Sequence, residues 1–270
     1  MSLVNTNWLK ENLDKVKIID CSWHMPQTKR NGFDEYKVKH IESAIFFDLD
    51  KNSKKNTDLP HMLPDIKSWK DIVSNMGIKN DEQIIIYDNS DVISSCRCWY
   101  NFIYFGHNPE LVHVLDGGFK KWIEEGMPTT GDIIKIIPSN YTVSEKKELV
   151  KNINQIDKNI LENEFNVIDA RSLERFEGKV PEPRKGLRSG SIKNSFCLPY
   201  SELINQDHTF ISKEKIYEKF KSTGYDVDKN IVFSCGSGVT ASVLALAYSL
   251  IDNKYMPSIY DGSWSEYGKN

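Results

Sequence analysis

Phe233-Ser234-Cys235-Gly236-Ser237-Gly238-Val239-Thr240-Ala241 is the stretch on which the reading of this chain turns. Before it runs the short β-type segment Ile231-Val232-Phe233. After it, Ala241 to Leu250 reads as a buried helix. A cysteine therefore sits where a strand ends, on a loop with two glycines, and a helix begins almost at once. In that geometry successive backbone N–H groups converge on one point, reinforced by the positive end of a helix dipole. A sulfur anion placed there is stabilised and becomes a nucleophile. The bland alternative is a small apolar Cys packed at a strand end, the fate of most free cysteines.

Working outward, the chain states one plan twice. Val16-Lys17-Ile18-Ile19-Asp20 matches Phe165-Asn166-Val167-Ile168-Asp169, each a strand closing on Asp. His40 to Phe46 answers Ser191 to Phe196. Gln83 to Asp88 answers Asn230 to Cys235, each followed by a helical pattern, Val92 to Gly106 and Val239 to Leu250. Val112 to Phe119 and Ser258 to Trp264 close the copies with a strand and an Asp-Gly turn. The offsets hold: 68 residues from Asp20 to Asp88 against 66 from Asp169 to Cys235, and 28 from Asp88 to Asp116 against 26 from Cys235 to Asp261. Strands alternating with helices predict α/β units, each a mostly parallel sheet flanked by helices. Ligands of such sheets bind beyond the carboxyl ends of the strands, where Cys235 falls. We expect one domain over 1–128, a connection over 129–151 that lacks either periodicity and lies over the surface, and a second domain over 152–270. Where the second copy has Cys235 the first has Asp88, which cannot act as a sulfur nucleophile, so only the later half is expected to be catalytic.

Composition bounds the rest. Across 270 residues, 39% hydrophobic and 27% charged content describes a globular chain, and a net charge of −3 argues against nucleic acid as a partner. Five cysteines with no CxxC pair suggest neither a disulfide framework nor a zinc site, so no metal and no cofactor is expected. The N-terminal residues lack a signal-peptide pattern, and no apolar run is long enough to span a membrane. A cytoplasmic monomer without membrane association is the expectation. Cys96 and Cys98 lie on a helical stretch and read as packing residues, as does Cys21.

The duplicated plan, Asp88 in the first half, the loop Cys235-Gly236-Ser237-Gly238-Val239-Thr240 and the closing Asp261-Gly262-Ser263-Trp264 resemble the tandem-domain rhodanese sulfurtransferases over essentially the whole chain. The resemblance implies a fold of two rhodanese-like domains and sulfur transfer through a Cys235 persulfide. The loop, and Arg184 after Pro181-Glu182-Pro183, are similar to members that use 3-mercaptopyruvate rather than thiosulfate. By that resemblance Arg175 and Arg184 hold the donor's keto acid, a planar group suited to guanidinium forks. Gly236, Gly238, Val239 and Thr240 complete the binding loop. Ser237, His61 and Asp50 are implied to form a proton relay drawing on both halves. The implied acceptor is thioredoxin, a low-molecular-weight thiol or cyanide, and pyruvate is released.

The first copy keeps His40-Ile41 of the family's Gly-His-Ile-Pro-Gly-type turn without its Pro and Gly, and the second has Gly190-Ser191-Ile192 without its His. A thiosulfate enzyme is the nearest rival, and a sulfur-relay or anion-binding protein with little turnover is another. The position six residues after the cysteine is Ala241, which argues against a Cys-x5-Arg phosphatase.

Overall fold

The computed structural model describes residues 2–252 and 256–269; Met1 and Asn270, the two ends of the domain reading above, lie outside the described residues. Each half builds a five-stranded, all-parallel sheet in the same strand order. In the first the order is Leu3–Val4, Val112–Leu115, Ile84–Tyr87, Lys17–Asp20 and Ala44–Phe46. In the second it is Val150–Lys151, Ser258–Tyr260, Ile231–Ser234, Asn166–Asp169 and Phe196–Cys197. The tandem repeat in the sequence is thus a repeat of topology, and the α/β class follows from it.

The middle strands Ile84–Tyr87 and Ile231–Ser234 are buried at every residue. That is why they read as unbroken apolar runs rather than alternating ones. The helix Ser95–Tyr104 is buried on all sides, including Cys96, Cys98, Trp99 and Phe102. Its aromatics pack: Phe102 meets Trp69 edge-on at 5.1 Å. Cys21 is also fully buried, its Sγ 3.6 Å from the Ser94 carbonyl. These three thiols fill space in the core. In the second half Ile156, Val167, Ile192, Val232, Tyr260 and Trp264 form one apolar cluster.

The chain does not divide at a single cut. One compact unit comprises Met1–Lys55, Leu63–Lys146 and Gln206–Thr209; the other comprises Asn56–Met62, Lys147–Asn205 and Phe210–Asn270. The aperiodic stretch after Met127 belongs mostly to the first unit. Thr129–Thr130 pairs antiparallel with His40–Ile41, Tyr141 is fully buried and stacked on His107 at 5.8 Å, and Lys146 N–H donates to the Tyr104 carbonyl. It shows no period because backbone hydrogen bonds and single anchors hold it, not an apolar face. His40 is buried, with Nδ1 2.6 Å from the Tyr36 carbonyl. His40–Ile41 is thus strand, and Glu42–Ser43 after it still makes a turn, with Ser43 taking the left-handed φ of +63° where the expected pattern has Gly.

Candidate active site

Cys235 is the first residue beyond the central strand Ile231–Ser234, and the helix Val239–Ile251 begins four residues later. Gly238 makes the sharp turn between them at φ +80°, a conformation that L side chains resist. The helix is buried along most of its length, so its start, and with it the loop, is fixed by core packing. The Ser237 N–H points back to the Cys235 sulfur at 3.4 Å.

The closing segment of the repeat latches this loop from the other side. Trp264 N–H donates to the Cys235 carbonyl and Ser265 N–H to the Gly236 carbonyl, both at 2.9 Å. Ser265 Oγ donates to the same Gly236 carbonyl at 2.6 Å. Cys235 N–H donates to Ser263 Oγ at 3.2 Å, and that hydroxyl donates onward to the Tyr260 carbonyl. The Cys235 and Gly236 carbonyls are thus occupied from outside, and the Ser237 N–H is the amide turned toward the sulfur. Cys235 is 1% exposed, while Gly236 beside it is half-buried and forms the open lip of the loop.

Two guanidinium groups face that lip. A Cβ built on Gly236 would lie 3.4 Å from Arg175 Nη2 and 3.6 Å from Arg184 Nη1. Arg184 Nη2 also lies 3.4 Å from Ser237 Oγ. The same hydroxyl is 2.9 Å from His61 Nδ1. His61 is buried and holds a left-handed backbone at φ +60°, an unusual state for a residue with a side chain. It lies in the short segment Asn56–Met62, which belongs to the second compact unit although it precedes most of the first in sequence. Cys235, Gly236, Ser237, Gly238, Val239, Thr240, Arg175, Arg184 and His61 are therefore all in one unit. Asp50 is in the first unit, exposed, and accepts the Trp23 indole N–H at 3.0 Å.

Behind the guanidiniums lies a buried charged chain that the sequence reading did not single out. Asp169, at the end of its strand, accepts from Arg171 through Nε and Nη2. Arg171 is fully buried and donates to Glu182, and Glu182 takes two bonds from Arg175. Trp264 carries Arg171 4.4 Å and Arg188 4.6 Å from its ring centroid. The available signal was Pro181-Glu182-Pro183-Arg184 itself, where an acid stands two residues before Arg184. In the first half, Ser22 occupies the position of Arg171. Asp20 there accepts from Ser22 N–H and Oγ, and burial pushes its carboxyl up to about 7. Asp88 accepts N–H bonds from Ser90 and Ser95, and burial holds its carboxyl above the usual range. That loop is closed on itself by a carboxylate.

A thiol on an amide-lined loop with two cationic forks at its lip defines a cysteine site for an anionic substrate. Comparison with known proteins identifies the family. The Rhodanese-like domain family matches residues 5–125 and 146–270. The chain is 37% identical to the thiosulfate/3-mercaptopyruvate sulfurtransferase 1, mitochondrial, of Arabidopsis thaliana, covering 98% of this chain and 75% of that protein. It is 34% identical to the 3-mercaptopyruvate sulfurtransferase of Mus musculus over 98% of this chain and 91% of that one. A crystal structure of a 3-mercaptopyruvate sulfotransferase from Escherichia coli superposes with a TM-score of 0.87 at 31% identity, over 98% of this chain and 100% of that one. The chain belongs to the rhodanese-like family, with two copies of its domain.

Proposed function

We propose that this chain is a 3-mercaptopyruvate sulfurtransferase. The observation that carries the reading is the pair Arg175 and Arg184, whose guanidiniums lie 3.4 and 3.6 Å from where a Cβ on Gly236 would stand, next to the only cysteine on the loop. Two planar forks suit the carboxylate and ketone of a 2-oxo acid. A donor so held brings its own sulfur toward Cys235.

In the first half-reaction the Cys235 thiolate attacks the donor sulfur. The S–S bond forms, the C–S bond breaks, and its electron pair leaves on carbon as the enolate of pyruvate. That carbanion takes the proton released by the donor thiol, giving pyruvate and a Cys235 persulfide. Ser237 Oγ, bonded to His61 Nδ1, is the group positioned to pass the proton. Negative charge gathers on sulfur and enolate, which the Ser237 N–H and the guanidiniums stabilise. In the second half-reaction a thiolate attacks the outer sulfur and regenerates the Cys235 thiolate. Ping-pong kinetics follow. Thioredoxin or a small thiol serves as acceptor, and cyanide can substitute for it. Five free thiols favour a reducing compartment, and we place the protein in the cytoplasm, where fractionation of the source cells should recover it.

A donor screen tests the assignment. The expected result is a higher kcat/KM for 3-mercaptopyruvate than for thiosulfate, with one pyruvate per sulfur passed to the acceptor. A clear preference for thiosulfate would overturn it. A sulfur adduct on Cys235 without pyruvate release would replace it with a relay function.

A further inference from the structure

The buried chain behind the site alternates in charge: Asp169, Arg171, Glu182, Arg175. Side-chain exposure is 1%, 0%, 2% and 22% along it, so only the last member reaches the lip of the loop. Arg171 does not need Glu182 for neutralisation. It already makes a fork with Asp169 and donates to the Gly190 carbonyl at 2.8 Å. Glu182 nevertheless sits between the two arginines. Its Oε1 accepts from Arg171 Nη1 at 2.8 Å and Arg175 Nε at 3.2 Å, and its Oε2 accepts from Arg175 Nη2 at 2.6 Å.

We propose that Glu182 is a positioning residue that aims Arg175 at the donor's carboxylate, with Arg171 and Asp169 as its rigid backing. This rests on the reading of Arg175 as a donor-binding group. A long Arg side chain at a half-open lip would otherwise sample many rotamers, and binding would have to order it. Gripped through Nε and Nη2, it presents its head beside Gly236 before the donor arrives, where a Cβ on that glycine would meet Nη2 at 3.4 Å. The arrangement has an electrostatic cost. Glu182 puts a negative charge close to an anion site and offsets part of the attraction Arg175 offers.

That cost makes the inference testable in sign. If charge alone mattered, Glu182→Gln would tighten anion binding, because a repulsive carboxylate is removed. If Glu182 aims Arg175, the same change loosens it: the Gln NH2, standing where Oε2 was, cannot accept from Arg175 Nη2. The expected result for Glu182→Gln is a KM for 3-mercaptopyruvate raised about tenfold, the equivalent of roughly one charge-assisted bond, with kcat within about twofold. An unchanged or lowered KM overturns the inference.

A readout without turnover separates this from the failure of the proposed function. Alkylation of Cys235 is followed with iodoacetate, which carries a carboxylate, and iodoacetamide, which does not. The ratio of the two rates, normalised to free cysteine, should exceed one in the wild type and fall about fivefold in Glu182→Gln, with the iodoacetamide rate unchanged. No anion preference in the wild type, or equal losses for both reagents, refutes the role. In an Arg175→Lys background, Glu182→Gln should add no further change in that ratio. Should Glu182→Gln fail to fold, Glu182→Asp serves. It keeps the charge but is too short to hold both arginines, and must shift the ratio in the same direction.

Discussion

Gly236→Ala isolates the geometry of the lip from the stability of the fold. The added methyl meets Arg175 Nη2 at 3.4 Å and Arg184 Nη1 at 3.6 Å, which is ordinary contact, so neither arginine has to move. Gly236 is not among the glycines with positive φ, so alanine fits its backbone. Such a replacement is neutral or stabilising by up to about 1 kcal/mol, through the unfolded chain. The methyl, however, fills space between the loop and both guanidiniums, where the proposal seats the donor's anionic end. Displacing that end from one fork forfeits about 1.5–3 kcal/mol of charge-assisted bonding, roughly tenfold to a hundredfold in kcat/KM, and displacing it from both costs more. The assay pairs steady-state pyruvate release with a urea melt. Gly238→Ala is the contrast: at φ +80° the alanine is strained by about 1–2 kcal/mol, so the melt shifts. A Gly236→Ala enzyme within twofold of wild-type kcat/KM would refute the placement of the donor. A large loss of stability would refute the description of the lip.

Three further outcomes are expected. Cys235→Ser should abolish pyruvate release and the persulfide mass adduct while leaving the melting temperature in place; residual turnover above background contradicts the mechanism. Arg184→Gly should reduce kcat/KM for 3-mercaptopyruvate at least about tenfold more than for thiosulfate, since a fork matched to a planar keto acid is lost; equal losses for both donors remove its selective role. Asp20 gives a pH signature. Its carboxyl titrates near 3.8 when unfolded and at about 7 when folded, because burial outweighs its bonds to Ser22. Between those values the folded chain holds a proton that the unfolded chain has lost. Its contribution is therefore complete below about pH 4 and is lost as pH rises through 7. The melting temperature of Asp20→Asn minus that of the wild type should grow from pH 4 to pH 7; a constant difference counts against a buried, protonated Asp20.

The repeat, the strands and the nucleophile's loop can be read along the chain, because each depends on short-range physics. Ile84 to Tyr87 and Ile231 to Ser234 are buried from both faces and so show as apolar runs, and Gly238 marks the left-handed turn that starts the next helix. Arg175 and Arg184 were legible only through family resemblance, since nothing local distinguishes them from surface arginines. What supports them emerges with the folded topology. Asp169, Arg171 and Glu182 lie up to 13 residues apart and meet because strand ends and a loop converge there. Ser263 and Ser265 reach the cysteine loop because Ser258–Tyr260 is the parallel neighbour of Ile231–Ser234. His61 stands 176 residues from Ser237 and yet within a hydrogen bond of it. A buried charge or an off-axis hydroxyl leaves no period in a sequence. Its partners are chosen by the folded topology, which brings distant residues together without imprinting that proximity on their neighbours in the chain.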